Sequence, residues 1–405
     1  MLFPFRPVTR GRVRRARWIF LLLVAACAAL YSLTVMRCAF PGGSASWIAW
    51  VAGLDVREVP TRPFLSLLGQ EVAKLHVGTL ALRLNLLAAL TGALAIGWIY
   101  KIVWFFVFDS MREESAVTHA SRMARFGGCV AAATVAVSLP FWQAATRFSP
   151  EIFDIALILA CAHLLTVYAY SQKTFWLMLF GVLYGIGVAE SPVFIAAAPV
   201  LGVFAVIVEW KLFWCRLGRL TGMAAIAFLV FGAVHYEAAR FFALANALDP
   251  THAQVLKIVI SVFRDQLAII GRLLPKSLWL VVLLLGVGSA FLSFLCALWT
   301  LNNRRSWSLL FLGLLLTVSA VLVLLNVSIT PWAIAATKGA MPATTYAFIG
   351  MGVGLLVASW RALVVLNDPV DAEFREGEEQ GDEGNSSDLP EDVQSELVFK
   401  AGRMV

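Results

Sequence analysis

Charged side chains are what this sequence has least of. They make up 14% of its 405 residues, while 60% are hydrophobic; soluble domains carry about 25% charged residues. An ordinary soluble globular protein is thereby excluded. Apolar runs of about 18 residues or more recur along the chain, each long enough to cross the roughly 30 Å hydrocarbon layer as a helix. The expected fold class is an all-α polytopic membrane protein.

Cysteine and histidine are also sparse, at six and five. Cys27, Cys38, Cys129, Cys161, Cys215 and Cys296 are scattered, most of them inside apolar runs, without a CxxC or Cys/His metal spacing. Free buried thiols, no metal and no cofactor are the expectation. A glycine-rich phosphate loop, heptads and repeats of about 20–50 residues are missing too. No basic patch interleaved with aromatics sits on a soluble segment, so nucleic acid is not an expected partner. The net charge of +7 reflects loops facing anionic lipid headgroups instead.

That charge is unevenly placed. From Asp368 onward, 12 acidic and 3 basic residues give −9, which leaves +16 on the first 367 residues. The end of the chain, 367–405, has the low hydrophobicity and single-sign charge of a disordered tail. At the other end, Arg6, Arg10, Arg12, Arg14, Arg15 and Arg17 precede the first apolar run. They place the N-terminus, 1–17, in the cytoplasm. The run that follows is too long for a signal-peptide core and leads into the bulky "SLTVMRC", so a retained anchor is expected.

Ten spans are expected, at about 18–36, 79–108, 127–143, 152–170, 175–189, 192–209, 221–236, 277–301, 306–326 and 344–366. Together they make a membrane domain over 18–366. The cytoplasmic loops then hold Arg112, Arg122 and Arg125; Lys173; Lys211, Arg216 and Arg219; and Arg304 and Arg305. The acidic tail also lies inside. The fifth and sixth spans either turn at "AESP" or form one broken helix, and Pro192 and Glu190 favour the turn.

Two outward segments, 37–78 and 237–276, are far longer than a connector needs. In the first, Phe64, Leu65, Leu68, Val72 and Leu75 recur at helical spacing, with Pro63 allowed in the first turn. Upstream, Ser44 is placed to cap a short helix carrying Trp47, Ile48 and Val51 and ending at Gly53. Two interfacial amphipathic helices joined by "LDVREVPT" are expected. In the second segment Val255, Ile258, Val259, Val262, Leu267 and Ile270 make a similar stripe. Such helices either roof a lateral cavity, suited to a substrate with its tail in lipid and its head in water, or merely seal the bundle.

The stretch "FPGGSASWIAWVAGLDVREVPTRPFLSLLGQEVAKLHVGTLALRLNLLAAL", Phe40–Leu90, resembles a bacterial membrane family grouped with the protein O-mannosyltransferases, C-type (GT-C) glycosyltransferases. The family pattern runs F-G-D-S-G-E, a Leu-Gly, H-P-P-G-x-P-L, L-L-G and R-x-N-L. Pro60, Pro63, Leu67-Leu68-Gly69 and Arg83-Leu84-Asn85-Leu86 match it. "SPEIFDIALILA" is similar to the next outward turn, at Glu151, and "GVLYGIGVAESPVFIAAAP" to a glycine-rich span ending in proline. The likeness covers about the first 210 residues. It implies a GT-C-like fold in a bacterial cytoplasmic membrane and a polyprenyl-phosphate-linked sugar as donor. Membrane lipid and a protein or glycan acceptor would be the other partners. The family's acidic pair falls on Gly43 and Ser46, and its histidine on Glu58. The resemblance assigns a first-loop carboxylate as general base; Asp55 and Glu58 are the carboxylates present to take that role.

Each candidate site residue has a plainer alternative. Asp55 and Glu58 are bases or a solvated turn. Arg83, one turn inside the second span, contacts a lipid-linked phosphate or snorkels to the interface. Asn85 belongs to the substrate site or makes a helix–helix hydrogen bond. Glu151 and Asp154, one turn apart, hold an acceptor or a metal, or cap their helix against its dipole. Glu190 lines a cavity or ends a span. His163 is expected to be satisfied within the bundle. Three functions follow: a GT-C-like glycosyltransferase, a catalytically inactive relative acting in binding or assembly, and a transporter of an amphipathic substrate. The absence of repeat symmetry between halves ranks the transporter last.

Overall fold

The computed structural model describes residues 10–39, 43–54, 62–111, 117–191, 194, 201, 213–245, 251–273 and 342–366. Among these residues every regular element is a helix: α1 (Arg10–Thr34), α2 (Gly43–Val51), α3 (Pro63–Ala73), α4 (Leu80–Met111), α5 (Val117–Ala136), α6 (Leu139–Thr146), α7 (Pro150–Ser171), α8 (Thr174–Glu190), α9 (Phe213–Ala245), α10 (His252–Leu273) and α11 (Pro342–Leu366). Four stretches are long and apolar enough to cross a bilayer: Ala16–Thr34, Leu80–Asp109, Pro150–Ala169 and Leu217–Phe241. The bent pair α5–α6 makes a fifth if it is one span. The protein is therefore a helical membrane protein. The spans expected at 192–209, 277–301 and 306–326, together with Asp55, Glu58 and the acidic tail, lie outside the described residues, apart from Phe194 and Leu201. The chain divides after Ser359; of the second unit, only the end of α11 is described.

Helix α4 is the hub, packing on α1, α5, α6 and α7, while α8 lies between α7 and α9. Its start is fixed by Thr79, whose hydroxyl accepts from Leu82 N–H at 3.2 Å, an N-cap that answers one orphan amide. Asn85, one turn further, is fully buried. Its amide donates to Met36 O (2.8 Å) and Cys38 O (3.4 Å), and its carbonyl accepts from Phe148 N–H (2.8 Å). One side chain thus ties the exit of α1, the start of α4 and the entry to α7. With the end of α8, these termini share one end of the bundle, here called the loop face.

The span expected at 127–143 is not straight. Helix α5 ends at Ala136 and α6 leaves at 69° after a two-residue break. Pro140 causes it: proline lacks the N–H that would pair with Ala136 O, and its ring would clash with that carbonyl in a continuous helix. Tyr31 hydroxyl donates to that freed carbonyl at 3.0 Å. Helix α9 differs from expectation in length, running unbroken past Glu237 to Ala245, because no proline intervenes before Pro250.

The opening loop forms two helices. Helix α2 starts at Gly43, so Ser44 lies inside its first turn; its buried hydroxyl has no hydrogen-bond partner and does not cap. Gly53 then turns the chain at φ +75°, a conformation costly for any residue with a Cβ. Helix α3 begins at Pro63 as expected, but its rotation differs. Pro63, Leu65, Ser66 and Gly69 are the buried face, while Phe64, Leu68 and Val72 are only half-buried. Small residues decide this. A Cβ on Gly69 would come within 2.7 Å of Val51 Cγ2, so α2 rests directly on the α3 backbone.

Candidate functional site

Three charged side chains converge under the start of α3. Arg62, the residue before Pro63, donates from one guanidinium nitrogen to both carboxylate oxygens of Asp154, at 2.7 and 2.8 Å. Asp154 projects from the second turn of α7 and is 2% exposed; Ser191 gives it a further side-chain hydrogen bond. Glu190, the last residue of α8, is also 2% exposed. Its Oε2 accepts from Phe64 N–H (2.9 Å) and Leu65 N–H (3.2 Å), the first amides of α3. Its Oε1 is buried without a hydrogen-bond partner. Both Arg62 and Asp154 are near enough to act on Glu190 electrostatically.

The physics of the arrangement follows from helix ends. A carboxylate at the C-terminus of its own helix, as Glu190 is on α8, meets the negative end of that dipole. The N-terminus of α3 supplies the compensating positive end and two unpaired N–H donors. Arg62 has the reverse problem: a cation is unfavourable at a helix N-terminus, and Asp154 resolves it. Two buried carboxylates face one guanidinium, so the cluster has one more acid than base.

Arg83 holds the other end of α3. Its guanidinium donates to Ala73 O at 2.8 Å and Val72 O at 3.3 Å, the last carbonyls of that helix. Of the residues singled out in the sequence, Glu190 and Arg83 therefore hold the two ends of one short helix and Asp154 holds the residue before it, while Asn85 ties the neighbouring chain segments. Glu151 lies in the first turn of α7 and is half-buried. Arg62 and Ser191 were not foreseen. The signal for Arg62 was available: an arginine directly before a helix-opening proline needs an acid from elsewhere. His163, expected to be satisfied, has a buried Nδ1 without a partner.

A cavity of about 310 Å³ lies close by, between α8 (Tyr184, Gly185, Val188), α9 (Ala227, Phe228, Phe231) and Phe263 of α10. Its lining is aromatic and hydrocarbon. It opens beside Phe228, whose side chain is exposed. Val188 is two residues from Glu190 on α8, but residues at that spacing point to opposite sides of a helix, so the acid is not part of the lining. Among the described residues no group of His, Cys, Asp and Glu is placed to hold a metal ion.

The fold and this cluster define a class: a multi-spanning helical membrane protein whose opening loop is folded over buried acids, with an apolar cavity between α8 and α9. Residues 44–214 match the model of the protein O-mannosyl-transferase TMEM260 N-terminal domain. Over that segment, which runs from α2 into α9, the chain is similar to that domain. No curated protein and no solved structure matches it.

Proposed function

We propose that the protein is a membrane glycosyltransferase that moves a sugar from a polyprenyl-phosphate carrier to a protein or glycan acceptor on the extracytoplasmic face. One observation carries this reading: the segment similar to the O-mannosyl-transferase domain is the segment that builds the loop face, from α2 through α8. The acceptor hydroxyl attacks the anomeric carbon, the bond from that carbon to the phosphate oxygen breaks, and the polyprenyl phosphate leaves. A carboxylate takes the hydroxyl proton. Asp55 and Glu58 lie between α2 and α3 and are the loop's own acids for that task. Glu190, Arg62 and Arg83 fix α3 and so anchor the segment that carries them. The apolar cavity beside Val188 suits the hydrocarbon of a lipid-linked donor. On this reading both termini are cytoplasmic.

The test is transfer by the purified full chain from polyprenyl-phosphate mannose to a serine- and threonine-rich peptide. Asp55→Asn or Glu58→Gln should lower the rate by about 100-fold or more, the usual contribution of a general base. Full activity in the double variant removes both residues from that role.

A second reading, a binding or assembly subunit without turnover, has its own support. Gly43 and Ser46 stand where the resembled pattern has acids, and both buried carboxylates are already engaged, Asp154 by Arg62 and Glu190 by α3. Donor binding without transfer by the wild-type protein would favour it.

A further inference from the structure

The opposite end of the bundle carries a second cluster that the loop face does not use. Lys101 is the one charged residue between Arg83 and Asp109 on α4. It lies 21 residues beyond Leu80, about 31 Å along the helix, and so reaches the far edge of a hydrocarbon layer of about 30 Å. Trp98, Tyr100 and Trp104 surround it in sequence, the aromatic belt of an interface. Helix α1 enters the membrane at this end with Arg17 and Trp18.

The two helices are pressed together here. A Cβ on Gly97 would meet Phe20 Cε2 at 2.6 Å, and one turn beyond Gly97 the Lys101 ammonium sits 5.8 Å from the centroid of the Phe20 ring and 5.8 Å from that of Trp104. Arg17, one turn before Phe20, is near enough to act on Lys101 electrostatically. Among the described residues neither Arg17 nor Lys101 forms an ion pair. Two hydrogen-bonding groups nearby are also unspent. The Trp104 indole N–H is buried without a partner in a residue 5% exposed, and His163, on α7, leaves Nδ1 unpartnered while lying within electrostatic reach of Lys101.

Two cations from neighbouring helices repel each other at the edge of a low-dielectric layer, which is unfavourable unless an anion joins them. We propose that Arg17, Lys101 and the Trp104 indole bind the phosphate headgroup of an anionic membrane lipid in the leaflet opposite the loop face. The phosphate oxygens accept from the guanidinium, the ammonium and the indole N–H. The acyl chains lie along α1, whose Leu21 and Leu22 are exposed beside Arg17. A basic pocket between membrane helices is a recurrent way of holding such headgroups. This site stands independently of the proposed glycosyl transfer.

The full chain, purified in neutral detergent, is offered phosphatidylglycerol or phosphatidylcholine, and retained lipid is counted by native mass spectrometry. Wild type should retain phosphatidylglycerol in preference. Arg17→Gln and Lys101→Gln should each weaken retention about fivefold, the worth of one basic residue near a membrane surface, and Lys101→Arg should preserve it. Unchanged retention in both neutral variants overturns the proposal, as does equal retention of phosphatidylcholine. Displacement of the lipid by inorganic phosphate would make this a free-anion site instead. Arg17 is exposed, so Arg17→Gln keeps the test valid if Lys101→Gln fails to fold.

Discussion

Pro140 removes one N–H from the interior of the bundle, and Tyr31 repairs the loss from a helix 105 positions away in sequence. Tyr31 is fully buried, and its ring meets Trp142 edge-on at 5.7 Å. Phenylalanine there would keep the packing and strand the Ala136 carbonyl in a low-dielectric setting. The expected cost is about 1–3 kcal/mol, read as a lower unfolding temperature in detergent. Pro140→Ala supplies the missing N–H, so in that background Tyr31→Phe should cost little. Equal cost in both backgrounds would break the link between the two residues. Proline is plain in the sequence, yet a hydropathy window averages over it and reads one span through 127–143. The tyrosine that answers it has no local signal. Asn85 was more legible, because an amide inside an apolar span has few uses other than bonding across helices.

Helix α3 shows how a short element is held by groups it does not contain. At 11 residues it is below the length at which isolated helices persist in water. Glu190 answers its first amides and Arg83 its last carbonyls, so both ends of its dipole meet the complementary charge. Glu190→Gln should speed hydrogen exchange at the N-terminal turn of α3, and Arg83→Gln should fray the C-terminal turn. Each change is worth about 1 kcal/mol, or about fivefold in exchange rate, with α7 unaffected. Exchange in α3 that ignores both variants would mean that packing on α2, α4, α8 and α9 alone holds it. Apolar periodicity revealed that this helix exists and where it begins. It gave the wrong rotation, because the close contacts are made by Ser66 and Gly69, which a hydrophobic stripe does not count. The charges that hold it were visible singly, but their convergence was not, since Arg62 lies 92 residues from Asp154 and Phe64 lies 126 from Glu190.

For the whole molecule, composition was enough to specify a helical membrane protein, and the Lys/Arg bias assigns an orientation that helix geometry alone does not. The proposed function needs the loop face outside. Cys38 is exposed on that face, in the chain just after α1. Helix α7 runs from Pro150 at the loop face to Ser171, 22 residues in all, or about 33 Å, which carries Ser171 to the other side. A variant retaining Cys38 alone, with the other five cysteines replaced by serine, should react with a membrane-impermeant maleimide on intact cells. The cysteine-free variant with Ser171→Cys should react only in inverted vesicles. The reverse pattern would put Asp55, Glu58 and the loop in the cytoplasm. Transfer to an extracytoplasmic acceptor would then have no site, whatever the resemblance over residues 44–214. Labelling of both positions from one side would mean that α7 does not cross the membrane. The lipid site at Arg17 and Lys101 survives the reversal, because it requires only that those residues face the leaflet opposite the loop. The two proposals thus fail separately, and the labelling pattern decides which of them a given orientation leaves standing.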